Sequence, residues 1–215
     1  MLTLDDLAEV GRMVAIDAET TGFPIPAVAE IRRMPKGMRL PGIIIEIGCV
    51  ELLRDGDGWK TGENWQRRIQ PGGPIAKAAM AVHGIHPAQL KDAPQFRDVL
   101  DDFEAFLGQD VLLAHSAVNE IDFLNFEYAR VGRCGFDEAI FSDNDFVCTQ
   151  ELSRQFFPGV SGSLDVLCDR LWIDRSDRFQ HHGALLDAVL TAEAFLKMQG
   201  GFVGNHSNSV GFGDQ

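Results

Sequence analysis

No stretch of this chain stays apolar over the roughly 18 residues that a membrane-crossing helix needs. Its first residues, MLTLDDLAEVGR, carry acids where a secretory signal would place a basic segment and then an apolar one. Both absences lead us to expect a soluble, cytoplasmic protein with no membrane partner. Paired cysteines are missing as well: Cys49, Cys134, Cys148 and Cys168 are scattered, with no Cys-x-x-Cys to serve a zinc ribbon or disulfide exchange. They read as reduced core thiols. Positive charge is scarce, because 19 Lys and Arg face 32 Asp and Glu for a formal net charge of −13. Such a surface is unsuited to gripping duplexes by broad phosphate neutralisation. Any contact with nucleic acid has to be local, and divalent cations held by carboxylates would supply its positive charge. Internal repeats and interdomain linkers are absent too.

What is present is enough for one sizeable core: 215 residues, 45% hydrophobic and 24% charged. Residues 13–19, MVAIDAE, read as a buried strand that ends at the polar turn Thr20-Thr21-Gly22. Pro24, Pro26, Pro35 and Pro41, with Gly37 and Gly42, make 23–42 a long loop. Strands are expected at 43–53 and near 64–69, joined as a hairpin through Asp55-Gly56-Asp57-Gly58, with short strands at 111–114 and 146–148. Helical spacing covers 75–82, 94–107, 121–131, 149–156, 163–171 and 183–198, with Gly200-Gly201 ending the last helix. Hairpin strands followed by alternating strands and helices predict an α/β domain, a mixed five-stranded sheet flanked by helices. The domain spans 1–199; the Gly-, Ser- and Asn-rich tail, 200–215, is expected to be flexible.

Several carboxylates stand where a plain structural role is hard to give them. Asp17 and Glu19 alternate with Ile16 and Ala18, so on a strand both acids point to one face and could grip one cation. A polar strand end is the plainer reading of that pair alone. Asp187 lies in Ala184-Leu185-Leu186-Asp187-Ala188-Val189-Leu190, a helix apolar on nearly every side. An ionised group there needs a metal or a strong partner, so Asp187 is either a ligand or a protonated or Arg-paired structural acid. His182 precedes it by five positions, about 140° around a helix. Only from the turn before the helix could His182 fold over the site, where its titration range suits a general base; the neighbouring His181 competes for that role. In the segment His115 to Leu124, Glu120 shares a helix face with Phe123, Leu124 and Glu127, whereas Asp122 shares one with Asn125, Phe126 and Ala129. Glu120 is therefore expected to point inward and Asp122 away.

Together these segments resemble the DnaQ-like exonucleases, DEDD enzymes with a catalytic His (DEDDh) that include polymerase proofreading subunits. The match runs through Asp17-Ala18-Glu19-Thr20-Thr21-Gly22, Ile45-Glu46-Ile47-Gly48, Val82-His83-Gly84-Ile85, His115 to Leu124, Phe157-Pro158-Gly159, Ser163-Leu164-Asp165 and His182 to Ala188, all in order. The resemblance implies a ribonuclease H-like fold, two Mg²⁺ or Mn²⁺ ions, and release of nucleoside 5′-monophosphates from a single-stranded nucleic-acid 3′ end. It makes Asp17, Glu19, Glu120 and Asp187 metal ligands and His182 the base. His83, with Thr21, Gly22 and Phe123, would contact the terminal nucleotide. Three departures stand out: Ser116 replaces the usual Asn, Glu120 the usual Asp, and Ala78 an acidic residue five positions before His83. Glu reaches about 1.5 Å further than Asp.

DNA is the expected substrate, with a proofreading role. RNA trimming is an alternative, as is a weakened module that binds nucleic-acid ends because of Glu120. Arg32, Arg33, Lys36 and Arg39 in the long loop, and Arg175 and Arg178 before the His pair, are candidates for phosphate contacts. Phe202, Val203 and Phe212 could dock the chain on a DNA polymerase; the alternative is a stand-alone enzyme. From helical register alone, Glu120→Ala is expected to cost far more exonuclease activity than Asp122→Ala. Comparing initial rates of the two variants on one 3′-labelled strand checks this, and equal losses would overturn the register.

Overall fold

The computed structural model describes residues 1–22, 42–179 and 182–200. The loop expected over 23–42 falls outside the described residues apart from Gly42. So do its basic residues, His181, Gly201 and the tail with Phe202, Val203 and Phe212. Five strands form one sheet in the order β3-β2-β1-β4-β5, with β1 at Arg12–Thr20, β2 at Ile44–Asp55, β3 at Gly58–Arg68, β4 at Val111–Ala114 and β5 at Phe146–Cys148. β1 pairs antiparallel with β2 and parallel with β4; β2–β3 is antiparallel and β4–β5 parallel. This is the mixed sheet expected from the order of elements.

Alternation along β1 divides the core into two layers. Val14 and Ile16 face one layer, packed with Phe96, Phe103 and Leu124; Met13 and Ala15 face the other, packed with Leu167, Leu190 and Phe195. The first layer is roofed by α2 at Phe96–Leu107 and α3 at Ala117–Arg130, which follow the short α1 at Lys77–His83. The second is roofed by α4 at Thr149–Phe156, α5 at Leu164–Arg170 and α6 at Ala184–Gln199. Burial on both faces explains why β1 reads as a continuous apolar run. Among the described residues, no helix is long and apolar enough to cross a membrane.

Two boundaries differ from expectation by more than two residues. β3 begins at Gly58 rather than near 64, because its first half is an exposed edge strand held by backbone pairing to β2. Polar residues there carry no alternating pattern to read. The helix expected from 121 begins at Ala117, with Ser116 at its N-cap position. Ser116 sits in the left-handed region with φ 65°, a conformation that Asn tolerates better than Ser. That gives the departure at this position a physical consequence.

Gly48 decides how closely α6 can lie on the sheet. A Cβ at this position would stand 2.1 Å from the backbone nitrogen of Leu185 and 2.3 Å from the carbonyl carbon of Ala184. Beside it, buried Glu46 accepts a hydrogen bond from the Ala184 amide at 3.1 Å and one from Arg68 Nε at 3.0 Å. The first turn of α6 is thus seated on β2 by a missing side chain and fastened by a carboxylate. Gly48→Ala should destabilise the fold by about 1–3 kcal/mol through overpacking against rigid backbone. Gly11→Ala, with nothing within 4 Å of its Cβ, should stay within about 0.5 kcal/mol. Urea denaturation of both variants measures the difference, and a neutral Gly48→Ala would refute the close-approach argument.

Candidate active site

The carboxyl end of β1 is where the elements deliver their acids. Asp17 and Glu19 continue the odd-numbered face of the strand, the face that α6 covers. Asp187 lies in the first turn of α6 and Glu120 in the first turn of α3, so each carboxylate sits at the positive end of a helix dipole. His182 precedes the α6 N-cap, Gly183, and its Nδ1 lies 3.8 Å from Asp187 Oδ2. It occupies the turn, as required for it to reach over Asp187. Glu120 is 4% exposed, while Asp122 is half-buried and is not among the residues lining the adjacent pocket.

One ligand atom each from Glu19, His182 and Asp187 lies within 4.8 Å of the others. Asp17 and Glu120 lie outside that group but interact with its members through charge. Burial first, then Glu120, Asp187 and Glu19, hold the Asp17 carboxyl well above the usual carboxylate range, with Arg178 opposing. Burial, then Asp187 and Glu46, push Glu19 up to about 7. Glu120 is also raised well above its ordinary value, by burial and then by Glu19 and Asp187. Its Oε2 is buried with no hydrogen-bond partner. Crowded, desolvated carboxylates with an orphaned oxygen are what a divalent cation relieves, and the donor set fits one.

Asp187 also has an arginine partner. Arg178 Nε donates to Oδ1 at 2.6 Å and Arg178 Nη2 to Oδ2 at 2.9 Å, while Nη1 donates to Asp165 on α5. The sequence left an Arg partner for Asp187 open without naming it, and it did not mark Asp165 as a site feature. Arg175, the other candidate for a phosphate contact, instead grips Asp169 at 2.8 and 2.9 Å. Burial, reinforced by Arg178, holds His182 below the usual imidazole value, against the pull of Asp187 and Asp165. Its ring is therefore neutral at neutral pH.

A pocket of about 330 Å³ opens beside the acids, between α1 and α3. Asp17, Glu19, Thr20, Gly22, Ala78, Val82, His83, Asn119, Glu120 and Phe123 contribute to its wall. Three of the four residues expected at the terminal nucleotide, Gly22, His83 and Phe123, line it. Thr21 does not: its hydroxyl accepts from the Ile43 amide at 2.8 Å and its carbonyl from the Ala76 amide at 2.8 Å, tying β1 to β2 and α1. Thr20 lines the pocket instead, with its hydroxyl donating to the Gly22 carbonyl. Gly84, left-handed at φ 68°, ends α1 and turns the chain so that the Ile85 amide donates to His83 Nδ1 at 2.9 Å. His83 Nε2 therefore carries the proton and is buried without a well-aligned acceptor, the Thr20 carbonyl being near it. Burial lowers the pKa of His83, partly offset by the Thr20 carbonyl. His115 is used up internally, its Nε2 donating to the Gly162 carbonyl at 2.8 Å and its Nδ1 facing Thr149 Oγ1 at 2.9 Å. Burial pushes it down to about 4.

This arrangement has relatives. The family model described as Exonuclease, of the RNase T type, matches residues 14–195. The DNA polymerase III subunit epsilon of Pasteurella multocida is 37% identical over 191 residues, covering 88% of this chain and 69% of the relative. Among solved structures, exonuclease X in complex with 5′ overhanging duplex DNA superposes with a TM-score of 0.58 at 24% identity, covering 87% of this chain and 91% of that one. The nuclease domain of a 3′ exonuclease, a DEDDh family member bound to rAMP, gives a TM-score of 0.65 at 18% identity, covering 90% and 94%. Those two likenesses establish the ribonuclease H-like fold. With the family model spanning most of its length and the epsilon relative this similar, the chain belongs to the RNase T-type exonuclease family.

Proposed function

We propose that this protein is a metal-dependent 3′→5′ exonuclease that removes nucleoside 5′-monophosphates from the 3′ ends of DNA. The observation that carries the reading is the convergence of Glu19, His182 and Asp187 within 4.8 Å, beside a pocket floored by Asp17 and Glu120. Asp17, Glu19, Glu120 and Asp187 would hold two Mg²⁺ or Mn²⁺ ions, a choice favoured by an all-oxygen carboxylate set. Bound there, such ions would supply positive charge to the phosphate, would lower the pKa of water and would steady the departing 3′ oxygen. His182, kept neutral by burial and by Arg178, is the proton acceptor. With Nδ1 turned toward Asp187, Nε2 is the atom that takes the proton. The terminal nucleotide enters the pocket against Val82 and Phe123, with His83 Nε2–H as a donor and Gly22 leaving room for the chain.

The carboxylate at position 120 is retained and buried, which favours an enzyme over a module that only binds ends. We read 1–199 as one exonuclease domain, supported by the single sheet shared by all five strands. A cytoplasmic proofreading setting alongside a DNA polymerase, with a single-stranded 3′ end as partner, draws its support from the epsilon relatives.

Incubation with 3′-labelled single-stranded DNA, duplex DNA and RNA, each with Mg²⁺, Mn²⁺ or EDTA, tests the reading. Mononucleotides released from DNA with metal and none in EDTA are expected, with His182→Ala lowering kcat by about 10²–10⁴-fold. Faster release from RNA would move the substrate to the alternative class, and metal-independent release would sink the mechanism. The raised pKa of Glu19 has a second consequence. Its folded value, about 7, stands above its ordinary 4.5, so between these the folded state binds more protons than the unfolded chain. Its contribution to stability is full below about pH 4.5 and is lost as pH rises through about 7. In EDTA, therefore, Glu19→Gln should flatten the fall in Tm between pH 5 and 8, as read by scanning calorimetry; parallel profiles for both proteins would contradict it.

A further inference from the structure

We propose that Arg178 is an exchangeable internal cation: its guanidinium occupies Asp187 in the metal-free protein, and a divalent ion displaces it onto Asp165. The inference rests on the metal-dependent reading of the site and adds a positioning residue to it. Both oxygens of Asp187 are engaged by the same planar fork, at 2.6 and 2.9 Å. The pair is nearly dry, with side chains 10% and 7% exposed. A dication binding the same carboxylate would stand against the guanidinium, and like charges that close in a desolvated site repel strongly.

Arg178 has somewhere to go. Its Nη1 already donates to Asp165 Oδ1, a carboxylate on α5 that is 43% exposed and does not line the pocket. Rotation about the outer bonds of the side chain would exchange one carboxylate partner for the other without releasing the charge into bulk water. Arg175, anchored on Asp169 at 2.8 and 2.9 Å, also reaches Asp165 Oδ1 at 3.5 Å, so Arg178 would share this second seat with it. The fork geometry matters, since a lysine could neutralise Asp187 but not span both of its oxygens. Arg178 thus holds the acids together before the metal arrives and sets how readily they bind it. If the metal-competent arrangement is the one with Arg178 withdrawn, apparent affinity is lowered by the fraction of molecules that have withdrawn it.

The test is Mn²⁺ binding to the full chain, read by electron paramagnetic resonance of the free ion, for wild type, Arg178→Gln and Asp165→Asn. Arg178→Gln is expected to bind Mn²⁺ about tenfold or more tightly, and Asp165→Asn more weakly than wild type. A side chain that merely supported the fold would not tighten metal binding when removed. Affinity unchanged or weakened in Arg178→Gln overturns the exchange while leaving the metal site standing. Asp165→Asn binding as wild type does removes Asp165 as the second seat. Failure of all three proteins to bind Mn²⁺ sinks the metal reading itself, and this inference with it. Should Arg178→Gln not fold, the Arg178 Nε–H resonance of wild type decides: Mg²⁺ should shift it and speed its exchange with water, and an unmoved signal overturns the proposal.

Discussion

Like charges concentrated in a desolvated space are the constraint around which this structure is arranged. Asp17, Glu19, Glu120 and Asp187 reach one end of the sheet from three different elements, and burial plus mutual repulsion keeps the first three well above the ordinary carboxylate range. Among the described residues, the cation that opposes this at both Asp17 and Glu19 is Arg178. Helix dipoles help at the other two positions, because Glu120 and Asp187 each lie in a first helical turn. A site so poorly neutralised from within is poised to bind cations, and that poise is what phosphodiester chemistry requires.

The fold supplies the convergence through one tight junction. α6 carries both Asp187 and, on the turn before it, His182, so its seating sets two functional groups at once. Gly48 lets the helix backbone lie against β2, and Glu46 holds the Ala184 amide. Glu46 is itself buried and negative, and it contributes to the raised pKa of Glu19. One carboxylate therefore serves both anchoring and electrostatics, and Arg68, half-exposed on β3, is its partner. The edge strand is linked to the site by this pair.

On the substrate side, recognition groups and structural groups divide cleanly. Thr21 and His115 have their polar atoms committed to other parts of the chain. His83 Nε2 is buried without a well-aligned hydrogen bond, and the pocket it lines brings Ala78, Ala79, Val82 and Phe123 together with Asp17, Glu19 and Glu120. An apolar side lying next to the carboxylates in one pocket suits a nucleotide, whose base or sugar and phosphate differ in the same way. Positive charge is scarce across the whole chain, and in the proposed mechanism divalent ions would meet the phosphate.

The sequence by itself determined the central strand, the order of the elements, and which acids were out of place. Apolar runs and helical spacing are local, and the strand and helix directions of Asp17, Glu19 and Glu120 follow from local geometry. It also held both answers for Asp187, metal ligand or Arg-paired acid, without a means of choosing. Only the tertiary structure decided that Arg178 bridges Asp187 and Asp165, that Glu46 fastens α6, and that Thr20, not Thr21, lines the pocket. The edge strand β3 was half hidden for a related reason, as its first residues are held by a neighbour's backbone and not by burial. Such pairings join residues far apart in the chain, and their existence depends on how helices dock on the sheet, a distance and an angle that no local pattern of residues encodes.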